Sequence, residues 1–168
     1  KQKTAYEIGV RLVGSEMCIR DRCEIMEKIA LASDHAGFLL KKLVEKQLKG
    51  KGYEVLDLGT NSEDPVDYPD YANLMAETLK EGEVKVGVLI CGSGLGMSMV
   101  ANRHKGIRAA LCHSSKSAEL ARLHNDANIL VLGGRLIKQK DAMSCLDKFL
   151  STRFEGGRHS KRVSKIDF

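Results

Sequence analysis

From Lys28 to Ser33 the chain reads KIALAS, a short apolar run that stops at an acid and a histidine, and the rhythm of polar and apolar positions then changes. In GFLLKKLVEKQLKGKG the residues Phe38, Leu39, Leu43, Val44 and Leu48 recur at the spacing of one helix face, and glycines close the stretch. The same alternation repeats down the chain. YEVLDLG (53–59) predicts a second strand, and NSEDPVDYPDY, which holds both prolines, predicts a loop. ANLMAETLKEGE predicts a helix, VGVLI (86–90) a third strand, and GSGLGMSMVANR a turn running into a helix. IRAALC (107–112) and NILVLGG (128–134) predict strands four and five, separated by a helix in SSKSAELARLHND and followed by another in IKQKDAMSCLDKFLST.

Strands that alternate with helical crossovers predict an α/β fold: a single-domain, Rossmann-like three-layer sandwich with a five-stranded parallel sheet between helices. The connections are expected to be right-handed. Residues 28–168 are expected to form that one domain. KQKTAYEIGVRLVGSEMCIRDRCEIME, residues 1–27, has neither a strand period nor a capped helix, nor the apolar core of a secretory signal. Its YEIGVRLVGSEMCIRDR portion resembles translated adapter or vector sequence, so 1–27 is expected to be a non-native or disordered extension.

Composition narrows the function. The hydrophobic fraction of 43% and charged fraction of 29% suit a water-soluble core-forming chain, and no apolar run approaches the roughly 20 residues that span a bilayer. Much of the net charge of +5 lies in the tail RFEGGRHSKRVSKIDF, where positives cluster without interleaved aromatics, and the chain has no Trp. A base-stacking nucleic-acid surface is therefore unsupported, and small anions are the expected ligands. Five cysteines without CxxC or Cys/His spacing argue against a structural zinc site and fit a reducing compartment such as the cytoplasm.

In open parallel sheets ligands bind beyond the carboxyl ends of the strands. Strand one is followed by Asp34 and His35, strand two by Gly59 and Thr60, strand three by Cys91-Gly-Ser-Gly, and strand five by Gly133, Gly134 and Arg135. An acid, an imidazole, a thiol, a glycine turn and a guanidinium are thus expected at one edge. Gly92, Gly94 and Gly96 would let successive backbone N–H groups face an anion, with the next helix adding its positive end. The turn is not a dinucleotide fingerprint, because Met97 stands where GxGxxG needs glycine, and it lacks the Gly-Lys-Ser/Thr ending of a P-loop. Nor does an arginine stand six residues after Cys91, as a cysteine phosphatase loop requires.

Cys91 at a helix start is expected to favour the thiolate, which acts either as a nucleophile or as a base; Cys112 and Cys145, among apolar neighbours, are expected to be inert. Arg158 and Arg162 lie four apart and would share a helix face able to clamp a phosphate, or else belong to a solvated tail. His124, just before strand five, falls at the opposite edge of the sheet: either it is structural or it serves a neighbouring subunit. His104, His113 and His159 read as surface residues.

The segments ASDHAGF (32–38), DLGT (57–60), DYPDYA (67–72), ICGSGLGMSMVANR (90–103), GIRAALC (106–112), ARLHNDANILVLGGR (121–135) and FEGGRHSKRV (154–163) together resemble the ribose-5-phosphate isomerase B family, in the wider group that includes galactose-6-phosphate isomerase subunits. The resemblance covers about residues 28 to 163. It implies a metal- and cofactor-free aldose–ketose isomerase that interconverts ribose 5-phosphate and ribulose 5-phosphate, in the non-oxidative branch of the pentose phosphate pathway. By that resemblance Cys91 moves the proton between C2 and C1, the amides of Gly92, Gly94, Leu95 and Gly96 hold the enediolate oxygens, and Ser93 moves a proton between them. Ser93 stands where members often carry threonine.

The resemblance further implies that His124 opens the sugar ring, with Asn125 on the sugar and Asp34 on its hydroxyls. His35, Arg135, Arg158 and Arg162 would bind the phosphate, and Tyr68 would line the pocket. Because His124 falls at the far edge, a homodimer or tetramer with sites shared between chains is expected. The rival readings are a six-carbon sugar phosphate (allose or galactose type), a non-catalytic phosphate- or nucleotide-binding module, and a cysteine hydrolase.

Overall fold

The structure, a computed structural model, describes residues 27–166. The expectations for residues 1–26 lie outside the described residues. Five strands form one sheet: β1 (Lys28–Ser33), β2 (Glu54–Asp57), β3 (Val86–Cys91), β4 (Ala109–Leu111) and β5 (Ile129–Gly133). All pairings are parallel and the order is β2-β1-β3-β5-β4. The helices are α1 (Phe38–Gly50), α2 (Tyr68–Lys80), α3 (Leu95–Ala101), α4 (Ser115–Asn125), α5 (Gln139–Ser151) and α6 (Arg158–Val163), and a single 3-10 turn, His35–Gly37, precedes α1.

The two-residue period of a strand decides which helix layer each side chain meets. Ile29, Leu31, Val88, Ile90, Leu130 and Leu132 point to the side covered by α1, α4 and α5. Their neighbours Ala30, Ala32, Leu89, Cys91, Ile129 and Val131 point to the side covered by α2 and α3. This is the expected three-layer sandwich, with apolar residues on both faces of the central strands. Strand order reverses direction at β1, whose sequence neighbours β2 and β3 lie on opposite sides of it. A crevice therefore opens between the carboxyl ends of β1 and β3, which end at Ser33 and Cys91.

Several local expectations need correction. Tyr68 and Pro69 belong to the first turn of α2 rather than to a loop, with Asp67 extended just before it. Proline's fixed φ and missing N–H are tolerated at a helix start, where that donor would have no partner within the helix. The helix after Cys91 stops at Ala101, because the Asn102 side chain takes over the next bonds. Its amide donates to the carbonyls of Ser98 and Ala109 and its oxygen accepts the Ala109 N–H, each at 2.8 Å.

The buried face of α1 is Leu40, Lys41, Val44 and Leu48, whereas Leu39 is 64% exposed and Leu43 37%. Lys41 lies wholly inside and pairs with Asp57 at the end of β2. A cation at an inward position does the work that helical spacing alone assigned to Leu43. The tail also folds further than a solvated basic segment would, forming α6 against α4.

Candidate active site

Asp34 follows β1 and is anchored at both ends. Its N–H donates to the Ile90 carbonyl at 3.1 Å, and its Oδ1 accepts the Gly37 N–H at 2.9 Å, capping the 3-10 turn. His35, the next residue, has its Nδ1 facing the Val66 N–H at 3.2 Å. An imidazole nitrogen that accepts is unprotonated, so the neutral ring carries its proton on Nε2 and offers a donor there.

On β3, the pleat turns Cys91 toward α2 and α3. The chain then reverses tightly at Gly94, in the left-handed region at φ 79° and ψ −19°. That conformation aims the Gly94 N–H at the Cys91 Sγ, 3.1 Å away. The Ser93 hydroxyl accepts the Leu95 N–H at 3.3 Å. From β5, Gly134 and Arg135 donate their N–H groups to the carbonyls of Cys91 (2.8 Å) and Gly92 (3.0 Å). These bonds continue the ladder beyond the strands and set Arg135 against the turn. A β-carbon on Gly96 would stand 2.5 Å from the Tyr68 ring, so the bare Cα lets that ring lie across the turn.

The result is a cleft of about 490 Å³ lined by Asp34, His35, Ala36, Tyr68, Cys91, Gly92, Ser93, Gly96, Arg135 and Leu136. Its size suits a small ligand. A carboxylate, an imidazole, a thiol, a guanidinium and a glycine turn do share one edge, with Gly94 and Leu95 in the same turn. His124, Asn125, Arg158 and Arg162 do not join them within one chain. His124 and Asn125 end α4 at the opposite edge, where α6 brings Arg158 and Arg162.

At that second edge one expectation fails. His159, read from the sequence as a surface residue, is only 5% exposed and stacks on His124, with ring centres 4.2 Å apart and planes within 6°. Its position immediately after Arg158 gave no hint, because the stack exists only once α6 has packed on α4. The Glu155 Oε2 lies 3.8 Å from His124 Nε2 and 3.6 Å from His159 Nε2, so three metal-ligating groups meet. They are ill-disposed toward one cation. Imidazole lone pairs lie in the ring plane, so two stacked rings direct theirs along parallel lines, and the Arg158 Nε–H already faces His159 Nε2 at 3.4 Å.

His104 meets Asn73 at 2.9 Å, and His113 is exposed. Cys112 and Cys145 are both buried, as their apolar neighbours predict, and burial pushes Cys145 up to about 11 and raises Cys112 as well. Besides His159, sequence reasoning missed the Val66 amide that fixes His35 and the cleft-lining Ala36 and Leu136.

The family model described as Ribose/Galactose Isomerase matches residues 29–166. The chain belongs to this family. It is 45% identical over 141 residues to ribose-5-phosphate isomerase B of Escherichia coli, covering 84% of this chain and 95% of that protein. The crystal structure of a ribose 5-phosphate isomerase from Thermotoga maritima superposes with a TM-score of 0.82 at 57% identity, covering 84% of this chain and 97% of that one. A second solved relative, ribose-5-phosphate isomerase B of Mycoplasma genitalium with bound ribulose-5-phosphate, gives a TM-score of 0.78 at 45% identity, covering 83% of this chain and 93% of that one. The family is that of an isomerase, and the five-stranded parallel α/β architecture is the one it shares with these structures.

Proposed function

We propose that this chain is an aldose–ketose isomerase interconverting ribose 5-phosphate and ribulose 5-phosphate through an enediolate. The observation that carries the reading is the Cys91 sulfur, which lines a sugar-sized cleft together with Arg135 and His35 and has the Gly94 amide directed at it. Relatives named for this reaction, one of them holding ribulose-5-phosphate, support it.

Moving a carbonyl from C1 to C2 requires a base for a carbon-bound proton and donors for the charge that develops on oxygen. Cys91 as thiolate removes the proton from C2 of the open aldehyde and returns it to C1. The Gly94 amide steadies the sulfur, the amides of Gly92 and Gly96 face the enediolate oxygens, and the Leu95 N–H, donated to the Ser93 hydroxyl, holds that hydroxyl in place. Ser93 passes the hydroxyl proton between O1 and O2. Asp34 holds sugar hydroxyls and Tyr68 walls the cleft. The His35 Nε2–H and the Arg135 guanidinium bind the phosphate, whose remote binding energy positions the reacting carbons.

The stable substrate is a closed furanose, and opening it takes a proton from the anomeric hydroxyl and delivers one to the ring oxygen. We assign this step to His124 of a second copy, with Asn125 on the sugar and Arg158 and Arg162 completing the phosphate site. The exposed apolar Leu136 of the cleft lining and the exposed Leu95 and Met99 of α3 suit coverage by that copy, in a homodimer or a tetramer of such dimers. A sugar-phosphate isomerase with unpaired Cys91, Cys112 and Cys145 is assigned to the cytoplasm.

The substrate test is incubation of the pure protein with ribose 5-phosphate, allose 6-phosphate and galactose 6-phosphate in heavy water containing chelator. Deuterium at C1 or C2 of the five-carbon sugar is expected; label confined to a six-carbon sugar would replace the assignment. Ligand binding without turnover, retained in Cys91→Ser, would instead make this a binding module, and a covalent sugar adduct on Cys91 would make it a hydrolase. For the shared site, Cys91→Ala and His124→Ala chains are each expected to be inactive alone and to regain activity on mixing. No recovery, with phosphate binding intact, would end the two-chain arrangement.

A further inference from the structure

His159 is a buried imidazole for which the reaction as drawn has no use. Three observations meet on it. Its ring lies face to face with His124, centres 4.2 Å apart and planes 6° from parallel. Its Nε2 accepts from the Arg158 Nε at 3.4 Å. It is 5% exposed, whereas the His124 side chain is 35% exposed. One face of His124 is therefore open while the other rests on a ring that the protein interior holds still. Two flat rings in contact share an orientation, so the plane of the buried one sets the plane of the accessible one.

We propose that His159 is the positioning residue for ring opening: it fixes the His124 imidazole by stacking and links that ring to Arg158. The inference rests on the assignment of His124 to ring opening and of Arg158 to the phosphate. A guanidinium drawn toward a phosphate pulls on the His159 nitrogen it donates to, so phosphate occupancy and the set of the His124 ring become one geometric event.

The charged groups facing the pair are consistent with a neutral His159. Burial comes first, then His124 from α4 and Arg158 from α6, with Arg162 adding to them; together they outweigh Glu155 from the intervening loop and hold His159 below the ordinary imidazole value. A neutral His159 leaves the shared proton traffic to His124, since two stacked imidazolium rings would repel.

Ribulose 5-phosphate separates ring opening from proton transfer. Its C5 oxygen is esterified, so it cannot close to a furanose, and deuterium uptake at its C1 from heavy water needs Cys91 but no ring opening. The full chain and its His159→Ala, His159→Phe, His159→Gln and His124→Ala variants would be compared in two assays: conversion of ribose 5-phosphate, and deuterium uptake into ribulose 5-phosphate. His159→Ala is expected to slow conversion at least 10-fold, the scale of a misplaced catalytic group, with uptake at saturating ribulose 5-phosphate within about 2-fold of the parent. Phenylalanine keeps the stack and loses the acceptor, so kcat should return to within about 3-fold while KM rises. Glutamine keeps an acceptor and loses the stack, giving the reverse split, about parental KM with low kcat.

His159→Ala slowing both assays equally, or phenylalanine failing to restore kcat in a folded protein, would overturn the proposal. So would unimpaired conversion by His159→Ala beside an impaired His124→Ala. Unimpaired conversion by His124→Ala would remove the ring-opening role itself and the proposal with it.

Discussion

The Gly94 N–H points at the Cys91 sulfur across 3.1 Å, and it can do so because Gly94 adopts φ 79°, where a side chain is strained. A β-carbon there would also stand 2.4 Å from Leu111 Cδ1, a side-chain end that can give way, and 3.2 Å from the Leu132 backbone, which is harder to move. Gly94→Ala must either distort the turn or carry the strain. We expect it to destabilise the fold by about 1–2 kcal/mol. We also expect kcat to fall about 100-fold, the scale of a catalytic group displaced by about 1 Å, because a distorted turn moves the amide off the Cys91 sulfur that acts as the base. Urea melts and steady-state rates on the same preparation check both, and a variant with parental kcat would show that this amide does not matter to the chemistry.

Lys41 and Asp57 join α1 to the end of β2, and Asp57 also accepts the Gly59 N–H at 2.9 Å. Lys41 is fully enclosed while Asp57 is 29% exposed, so removing the cation leaves a carboxylate that water only partly serves. Lys41→Met is expected to cost about 3 kcal/mol, and Lys41→Met with Asp57→Leu less than Lys41→Met alone, because the pair's own desolvation is then removed. Denaturant midpoints of the two variants decide the order.

His159 binds its proton more weakly in the fold than in the unfolded chain, chiefly through burial. The unfolded state then holds more protons wherever the two differ, so stability rises with pH across that window. His159 leaves stability undiminished above its ordinary value of 6.5 and lowers it as pH falls below that. Thermal melts of the parent between pH 7.5 and pH 5 should show this decline, and His159→Phe should flatten it. An unchanged slope in the variant would assign the decline to other groups.

Cys145, pushed up to about 11 from 9.0, and Cys112, also raised by burial, should resist alkylation. A two-unit shift alone reduces the thiolate roughly 100-fold at neutral pH. Peptide mapping after iodoacetamide treatment at pH 8 is expected to find both unmodified in the native protein and modified after unfolding. Labelling of either in the folded state would mean that its cover opens.

Much of this was legible along the chain because it depends on local pattern. Strand runs, helix spacing and the residues that follow each strand predicted the sandwich and the gathering of Asp34, His35, Cys91 and Arg135. What failed has a common cause. Periodicity counts Leu43 on the helix face and leaves Lys41 off it, because it ranks residues by polarity and cannot know that Asp57 waits at the end of another strand. His159 looked exposed because its neighbours are charged, and only the packing of α6 on α4 covers it.

The sequence by itself determined the order of elements, the parallel sheet and the chemistry at its carboxyl edge, because each follows from residues close together in the chain and from the two-residue period of a strand. The tertiary structure alone decided which groups meet from afar: Lys41 with Asp57, His159 with His124, and the separation of Arg158 and Arg162 from Cys91 within one chain. Such meetings depend on how helices dock across the sheet, a matter of shape between distant segments on which local spacing is silent.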